Sequence, residues 1–161
     1  GAATLAAAAA GAAVTHVDGA RTAVAWARRN AALSGLAAAP IRWLVDDVQA
    51  FAAREQRRGR RYDTVVLDPP AYGHGRGGRR WQLAADLPAL LAACVGLGGP
   101  AGPRRLVLTA HAAGLGPAGA AALVRAAWPG LAAHRLEAFP LRLTALDGRT
   151  LEVGVAVVVR P

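Results

Sequence analysis

The stretch Tyr62-Asp63-Thr64-Val65-Val66-Leu67-Asp68-Pro69-Pro70-Ala71-Tyr72-Gly73 decides how the chain is read. Tyr62 to Leu67 is a hydrophobic strand, and Asp68-Pro69-Pro70 ends it. Two successive prolines remove two backbone donors and fix both φ angles. The chain must therefore leave the sheet in a stiff, extended turn whose carbonyls can accept hydrogen bonds. An acid at the head of such a turn can hold a nucleophile's N–H, or the amino edge of a base, against a bound cofactor. The plain alternative is an ordinary strand-to-loop exit.

Outward from this stretch, strands and helices alternate. Ala2 to Ala10 reads as a helix, Val14 to Val17 as a buried strand ending at Asp18, and Gly19 to Leu36 as a helix closed near Gly35. Ile41 to Val45 is the next strand. Asp47 can open a helix with Val48, Phe51, Ala52 and Glu55 on one face, stopped by Gly59. Beyond the prolines, Ala71 to Arg80 reads as a polar loop rich in glycine and arginine. Leu87 to Leu97 is a helix ended by Gly98-Gly99, Arg105 to Thr109 a strand, and Pro117 to Trp128 a helix with proline in its first turn. Two strand-like runs, Leu136 to Leu146 and Thr150 to Val159, flank the hairpin signal Asp147-Gly148. This order predicts an α/β fold: a Rossmann-like, doubly wound, mostly parallel sheet with a C-terminal antiparallel hairpin, in one domain over residues 1–161. Such sheets bind ligands at the carboxyl ends of their strands. Attention therefore falls on Asp18, Asp46-Asp47, Asp68-Pro69-Pro70 and the segment from Thr109 to Gly114.

With 161 residues, 54% apolar and 18% charged, the composition excludes a mainly disordered chain. The formal charge of +9 comes from 19 basic residues, all arginine, in an alanine-rich sequence. That pattern fits GC-rich coding bias and lowers the weight of basicity as a sign of nucleic-acid binding. Methionine is absent and the chain opens on Gly1, so the stretch is expected to start inside a longer protein. Cys94 stands alone in an apolar helical run and reads as a packed thiol; it rules out a disulfide framework and cysteine-ligated zinc, and fits a reducing cytoplasm. The alanine-rich start has no basic residues before it and is only weakly hydrophobic, so neither a signal peptide nor a membrane span is expected.

The acidic strand ends each allow two readings. Asp18 lies 17 residues after Gly1, near the spacing at which a carboxylate accepts from a ribose diol, and it could equally cap the following helix. Asp47 could accept from an exocyclic adenine amine with Val48 packed on the ring, or cap its own helix. Their order narrows the choice. Thr15-His16-Val17-Asp18, Ala23 to Asn30 with Leu33-Ser34-Gly35-Leu36, Val45-Asp46-Asp47, Leu67 to Gly73, and Leu108-Thr109-Ala110-His111 with Gly114 together resemble class I S-adenosylmethionine-dependent methyltransferases. Within that superfamily the pattern is similar to the bacterial group related to ribosomal RNA large-subunit methyltransferases.

The resemblance implies S-adenosylmethionine as cofactor and RNA as substrate. It places Gly1 and Ala2 in what is left of the glycine-rich cofactor turn, with the helix from Ala3 offering N–H groups to the cofactor carboxylate. Asp18, with Gly19 beside it, would hold the ribose. Asp47 and Val48 would hold the adenine, and Asp68, Pro69 and Pro70 would border the methyl group and its acceptor. Tyr72 would stack on the target base, and the loop from Gly73 to Trp81 would touch substrate. The family's first strand is expected before Gly1. Relatives that methylate C5 of cytosine use a cysteine nucleophile, which would fall near Ala112; its absence points to direct in-line transfer without a covalent intermediate.

Arg76, Arg79 and Arg80 with Tyr72 and Trp81 make a charge-plus-aromatic surface suited to phosphate contact and base stacking. Arg54 to Arg61 reads as a solvated face. His74 and His111 are candidates for substrate contact, His16 and His134 for structural roles, and no metal site is expected. Two alternatives stand beside the methyltransferase reading: a dinucleotide-dependent oxidoreductase on the same fold, disfavoured by Asp68-Pro69-Pro70, and a non-catalytic RNA-binding domain.

Overall fold

The computed structural model describes residues 1–74 and 80–161. The chain packs as two compact units, Gly1–Phe51 and Ala52–Pro161.

In the first unit, helix α1 (Ala2–Ala9) leads into strand β1 (Val14–Asp18), helix α2 (Arg21–Leu33) and strand β2 (Ile41–Val45). β1 and β2 pair in parallel, with Val14 opposite Ile41 and Asp18 opposite Val45, so Asp18 and Asp46-Asp47 emerge at the same end of the ladder. The Asp46 N–H donates to the Asp18 carbonyl at 3.1 Å and extends that alignment. Small residues let the layers close up: Ala8, Val24, Ala27 and Ala31 are buried, and a Cβ on Gly1 would lie 2.6 Å from that of Ala27. His16 is held by Thr4 of α1, whose hydroxyl lies 2.8 Å from Nδ1, and its ring stands 5.0 Å from that of Trp43. Its buried Nε2 has no hydrogen-bond partner among the described residues. Burial lowers the imidazole pKa below its ordinary value, with Asp18 opposing the shift, which suits a histidine that serves as a structural tie.

Helix α3 (Val48–Arg57) leads to the second unit's strand β3 (Thr64–Leu67). The face read from Val48, Phe51, Ala52 and Glu55 is real, including its acid: Glu55 is 1% exposed, accepts from the Tyr62 hydroxyl at 2.7 Å and pairs with Arg58 at 3.2 Å.

The segment after the prolines departs from the expected loop. Tyr72–His74 (β4) and Arg80–Gln82 (β5) pair as an antiparallel hairpin, Gly73 opposite Trp81. Two contacts favour pairing over a loop: the Trp81 indole Nε1–H donates to the Pro70 carbonyl at 2.7 Å, and the Leu83 N–H donates to Ala71 at 3.0 Å. Helix α4 (Leu83–Gly96) starts earlier than its apolar period suggested, because Asp86 accepts the Gln82 N–H at 2.8 Å and anchors the first turn ahead of Pro88. Leu83, Leu87, Leu90, Leu91, Cys94 and Val95 are its buried side.

Strand β6 (Arg105–Ala110), helix α5 (Pro117–Ala127), a 3-10 turn at Ala133–Arg135, and strands β7 (Leu136–Thr144) and β8 (Thr150–Val159) complete the unit. Its sheet runs in the order β3-β6-β8-β7, parallel between β3 and β6 and antiparallel thereafter. Leu106, Leu108 and Ala110 alternate inward at 0% exposure against Val155, Val157 and Val159. The Asp147-Gly148 signal marks the hairpin correctly, but closure uses a longer loop, with Gly148 at φ +84° and the Ala145 N–H donating to Arg149 at 2.8 Å. Among the described residues, no helix is long and apolar enough to cross a membrane.

Candidate active site

The carboxyl ends of β1 and β2 carry the two acids assigned to a cofactor. Asp18 Oδ1 accepts the Ala20 N–H at 2.7 Å, fixing the turn ahead of α2 without reaching into the helix. Asp47 Oδ1 accepts the Ala50 N–H at 2.9 Å and so caps α3. Each of these bonds uses one oxygen, and a carboxylate has roughly four acceptor sites. Both can still accept from hydroxyl or amino hydrogens, which is the chemistry a ribose diol and an adenine amine present. A Cβ on Gly19 would find only the Asp46 carbonyl, at 3.9 Å, so the space beside Asp18 is open. Gly1 precedes the first turn of α1 and has no side-chain cap, and Ala2 is exposed beside it.

In the second unit, strand register alone brings three elements to one place. Leu67 of β3 lies opposite Leu108 of β6, so the next residues, Asp68 and Thr109, fall level. The Thr109 hydroxyl donates to Asp68 Oδ1 at 2.5 Å. On the other side of β6, Ala110 lies opposite Val155, which sets His111 against Gly154. His111 Nε2 stands 3.8 Å from Asp68 Oδ1, and its Nδ1 lies 2.6 Å from the Val153 carbonyl. Both side chains are solvent-accessible, Asp68 at 69% and His111 at 50%, so their contact adds little to stability. An open cavity of about 370 Å³ adjoins this cluster, bordered by Ala112, Gly114, Leu115, Pro140, Glu152 and Gly154.

Pro69 is buried and anchors the turn, while the Pro70 carbonyl is occupied by Trp81. The Trp81 N–H is thus used inside the protein, and because Trp81 pairs with Gly73 while Tyr72 pairs with Gln82, the two rings leave opposite faces of the ladder. Tyr72 is 79% exposed and Arg80 is exposed, as a surface for a base and a phosphate requires. Arg76 and Arg79 lie outside the described residues, as does the side chain of His74. Cys94 is sealed in α4, and burial pushes its thiol up to about 12, which removes it as a nucleophile.

Thr109 and His111 fall in a segment marked from sequence, but Val153 and Gly154 were missed. A lone glycine among β-branched residues, Val153-Gly154-Val155, was the available signal for a bulge or a close approach.

No protein-family model matches the chain. A crystal structure of a SAM-dependent methyltransferase from Agrobacterium tumefaciens is 38% identical, superposes with a TM-score of 0.90, and matches all of this chain and 53% of its own. The O-methyltransferase of Bacillus cereus, solved in complex with SAH, is 13% identical at a TM-score of 0.54, over 94% of this chain and 64% of its own. Ribosomal RNA large subunit methyltransferase I of Aeromonas salmonicida is 33% identical over 63 residues, 39% of this chain and 16% of that protein. The chain thus spans about half the length of the Agrobacterium protein and a smaller part of the Aeromonas one. The strand order, the acidic strand ends and these likenesses lead to one conclusion: the chain has the class I S-adenosylmethionine-dependent methyltransferase fold.

Proposed function

We propose that the chain is an S-adenosylmethionine-dependent methyltransferase that transfers its methyl group directly to a nitrogen-type nucleophile on RNA, ribosomal RNA in particular. The observation that carries this reading is the exposed Asp68 carboxylate on a proline-stiffened turn, oriented by the Thr109 hydroxyl. When bound, the cofactor supplies a methyl group already activated by its sulfonium, so the protein's task is alignment, worth roughly 7–11 kcal/mol of barrier. Asp18 and Gly19 hold the ribose, Asp47 and Val48 the adenine, and Gly1 and Ala2 the methionine end. Asp68 accepts a hydrogen bond from the nucleophile and so turns its lone pair toward the methyl carbon, with Pro69 and Pro70 fixing that carboxylate. The 38% identity to a SAM-dependent methyltransferase supports the cofactor assignment.

Calorimetry on the full-length protein, with S-adenosylmethionine and NAD in separate titrations, tests the reading. We expect binding of the first only, weakened by Asp18→Ala. Binding of NAD instead would favour an oxidoreductase, and binding of neither a non-catalytic domain.

RNA as acceptor is supported by the 63-residue likeness to an rRNA methyltransferase and by the exposed Tyr72 and Arg80 of the β4–β5 ladder. Tyr72 offers the stacking face and His74, Arg76, Arg79 and Arg80 the polar contacts, while Trp81, paired with Gly73 and tied to Pro70, leaves the ladder on the face opposite Tyr72. Changing Arg76, Arg79 and Arg80 together to Ala is expected to weaken binding to single-stranded RNA and flatten the plot of log K against log salt by about 2. An unchanged slope would remove these arginines from the interface.

A further inference from the structure

We infer that His111 is the proton acceptor of the transfer, with its tautomer set by a β-bulge at Val153. This role rests on the methyl-transfer reading above. In the β7–β8 ladder, Leu141 lies opposite Gly154 and Arg142 opposite Glu152, so Val153 has no partner residue in β7. Bulges leave the extra residue out of the ladder and re-aim what surrounds it. Here the Val153 carbonyl is turned to His111 Nδ1, at 2.6 Å. A carbonyl can only accept, so the neutral ring carries its hydrogen on Nδ1 and leaves the Nε2 lone pair open.

Gly154 makes this approach possible. A Cβ there would lie 2.7 Å from His111 Nδ1 and 2.5 Å from the Ala110 carbonyl, so any side chain would displace the ring or the strand end. On the far side of the ring, Nε2 faces Asp68 Oδ1 at 3.8 Å, and Thr109 holds that oxygen. Two acceptors, carboxylate and imidazole nitrogen, converge on the space where a donor belongs. Among neighbouring charged groups, Asp68 faces the ring from the end of β3, and Glu152 on β8 is paired with Arg142 of β7 at 2.9 Å.

The step balances as follows. The acceptor nitrogen gives its lone pair to the methyl carbon while the carbon–sulfur bond breaks, its electron pair staying on sulfur. The nitrogen then holds one hydrogen too many, which passes as a proton to His111 Nε2. The resulting imidazolium sits beside the Asp68 carboxylate, and its half-exposed ring returns the proton to solvent. Thr109 is a positioning residue, acting through Asp68.

The test has two readouts. Nitrogen-15 NMR of the cofactor-free chain should find His111 as the Nδ1–H tautomer, and Gly154→Ala should abolish that preference. With an adenosine- and cytidine-containing oligoribonucleotide as methyl acceptor, His111→Gln should lower kcat at least about tenfold and remove the ascending limb of the pH–rate profile. Binding of S-adenosylmethionine and KM for the RNA should stay as in the wild type. The Nε2–H tautomer, or a His111→Gln protein with unchanged rate and pH profile, would overturn the role of His111 while leaving methyl transfer standing. A full-length wild-type protein that binds no S-adenosylmethionine would overturn the methyl-transfer reading and this role with it.

Discussion

Replacing Asp68 by Ala is expected to lower kcat/KM for methyl transfer by about 10²- to 10⁴-fold, with the unfolding midpoint little changed. The reasoning starts from what the carboxylate does not hold. Its side chain is 69% exposed, and its partners are the Thr109 hydroxyl and the half-exposed His111 ring. The turn itself is fixed elsewhere: by buried Pro69, by the Trp81–Pro70 hydrogen bond at 2.7 Å, and by the Leu83–Ala71 bond at 3.0 Å. Removing the carboxylate therefore leaves the backbone in place and takes away the group that orients the nucleophile. Asp68→Asn keeps one acceptor oxygen and should lose less. Steady-state rates for the three proteins, with thermal melts as the folding control, give the comparison. Wild-type rates in Asp68→Ala would remove Asp68 from the mechanism.

The core of this site was legible because it depends on strand ends, and strands announce themselves. Val65 to Leu67 and Leu106 to Leu108 are continuous apolar runs, so the polar residues directly after them, Asp68 and Thr109, emerge together once the two strands pair with Leu67 opposite Leu108. Glu55 was placed on an apolar face by spacing alone, and it is buried there. Three features were not legible. The β4–β5 hairpin depends on a tryptophan N–H finding a proline carbonyl, a tertiary contact that no local pattern encodes. Its glycine and arginine content reads as loop because propensity counts the residues and not the bond that pins them. The start of α4 was hidden by Pro88, since a proline in an apolar period marks a boundary unless a cap such as Asp86 secures the turn before it. The bulge at Val153 is a property of register between two strands, and register appears only when both are seen.

The glycines after α4 give the largest expected loss of stability. Gly98-Gly99 reads in sequence as a simple helix stop, yet Gly98 is where the chain passes itself. A Cβ on Gly98 would lie 1.9 Å from the Pro103 nitrogen, 2.1 Å from the Gly102 carbonyl carbon and 2.4 Å from the Pro103 Cα. These are backbone atoms, so no side chain can rotate away to relieve the overlap. The turn has no slack on its other side either. Gly102, at φ +75°, would put a Cβ 2.4 Å from the Trp128 ring, whose Nε1–H donates to Ala101 at 3.0 Å, and Pro103 is fully buried. Gly98→Ala must therefore open the turn and expose part of that packing. The expected cost is about 3 kcal/mol or more, which for a chain of this size lowers Tm by about 6–12 °C. Gly119→Ala is the matched control. Gly119 lies exposed in α5 and its Cβ would meet only Leu115 Cδ1 at an ordinary 3.5 Å, so the same methyl group should raise stability by about 0.5–1 kcal/mol. Opposite signs in paired melts would establish that the close backbone crossing, and not glycine as a helix stop, is what position 98 requires. The strand that begins just past this turn ends at Thr109 and Ala110, so the crossing also sets the register that brings His111 to Asp68. Methyl transfer by Gly98→Ala should accordingly fall even at temperatures where the chain remains folded, whereas Gly119→Ala should transfer at the wild-type rate.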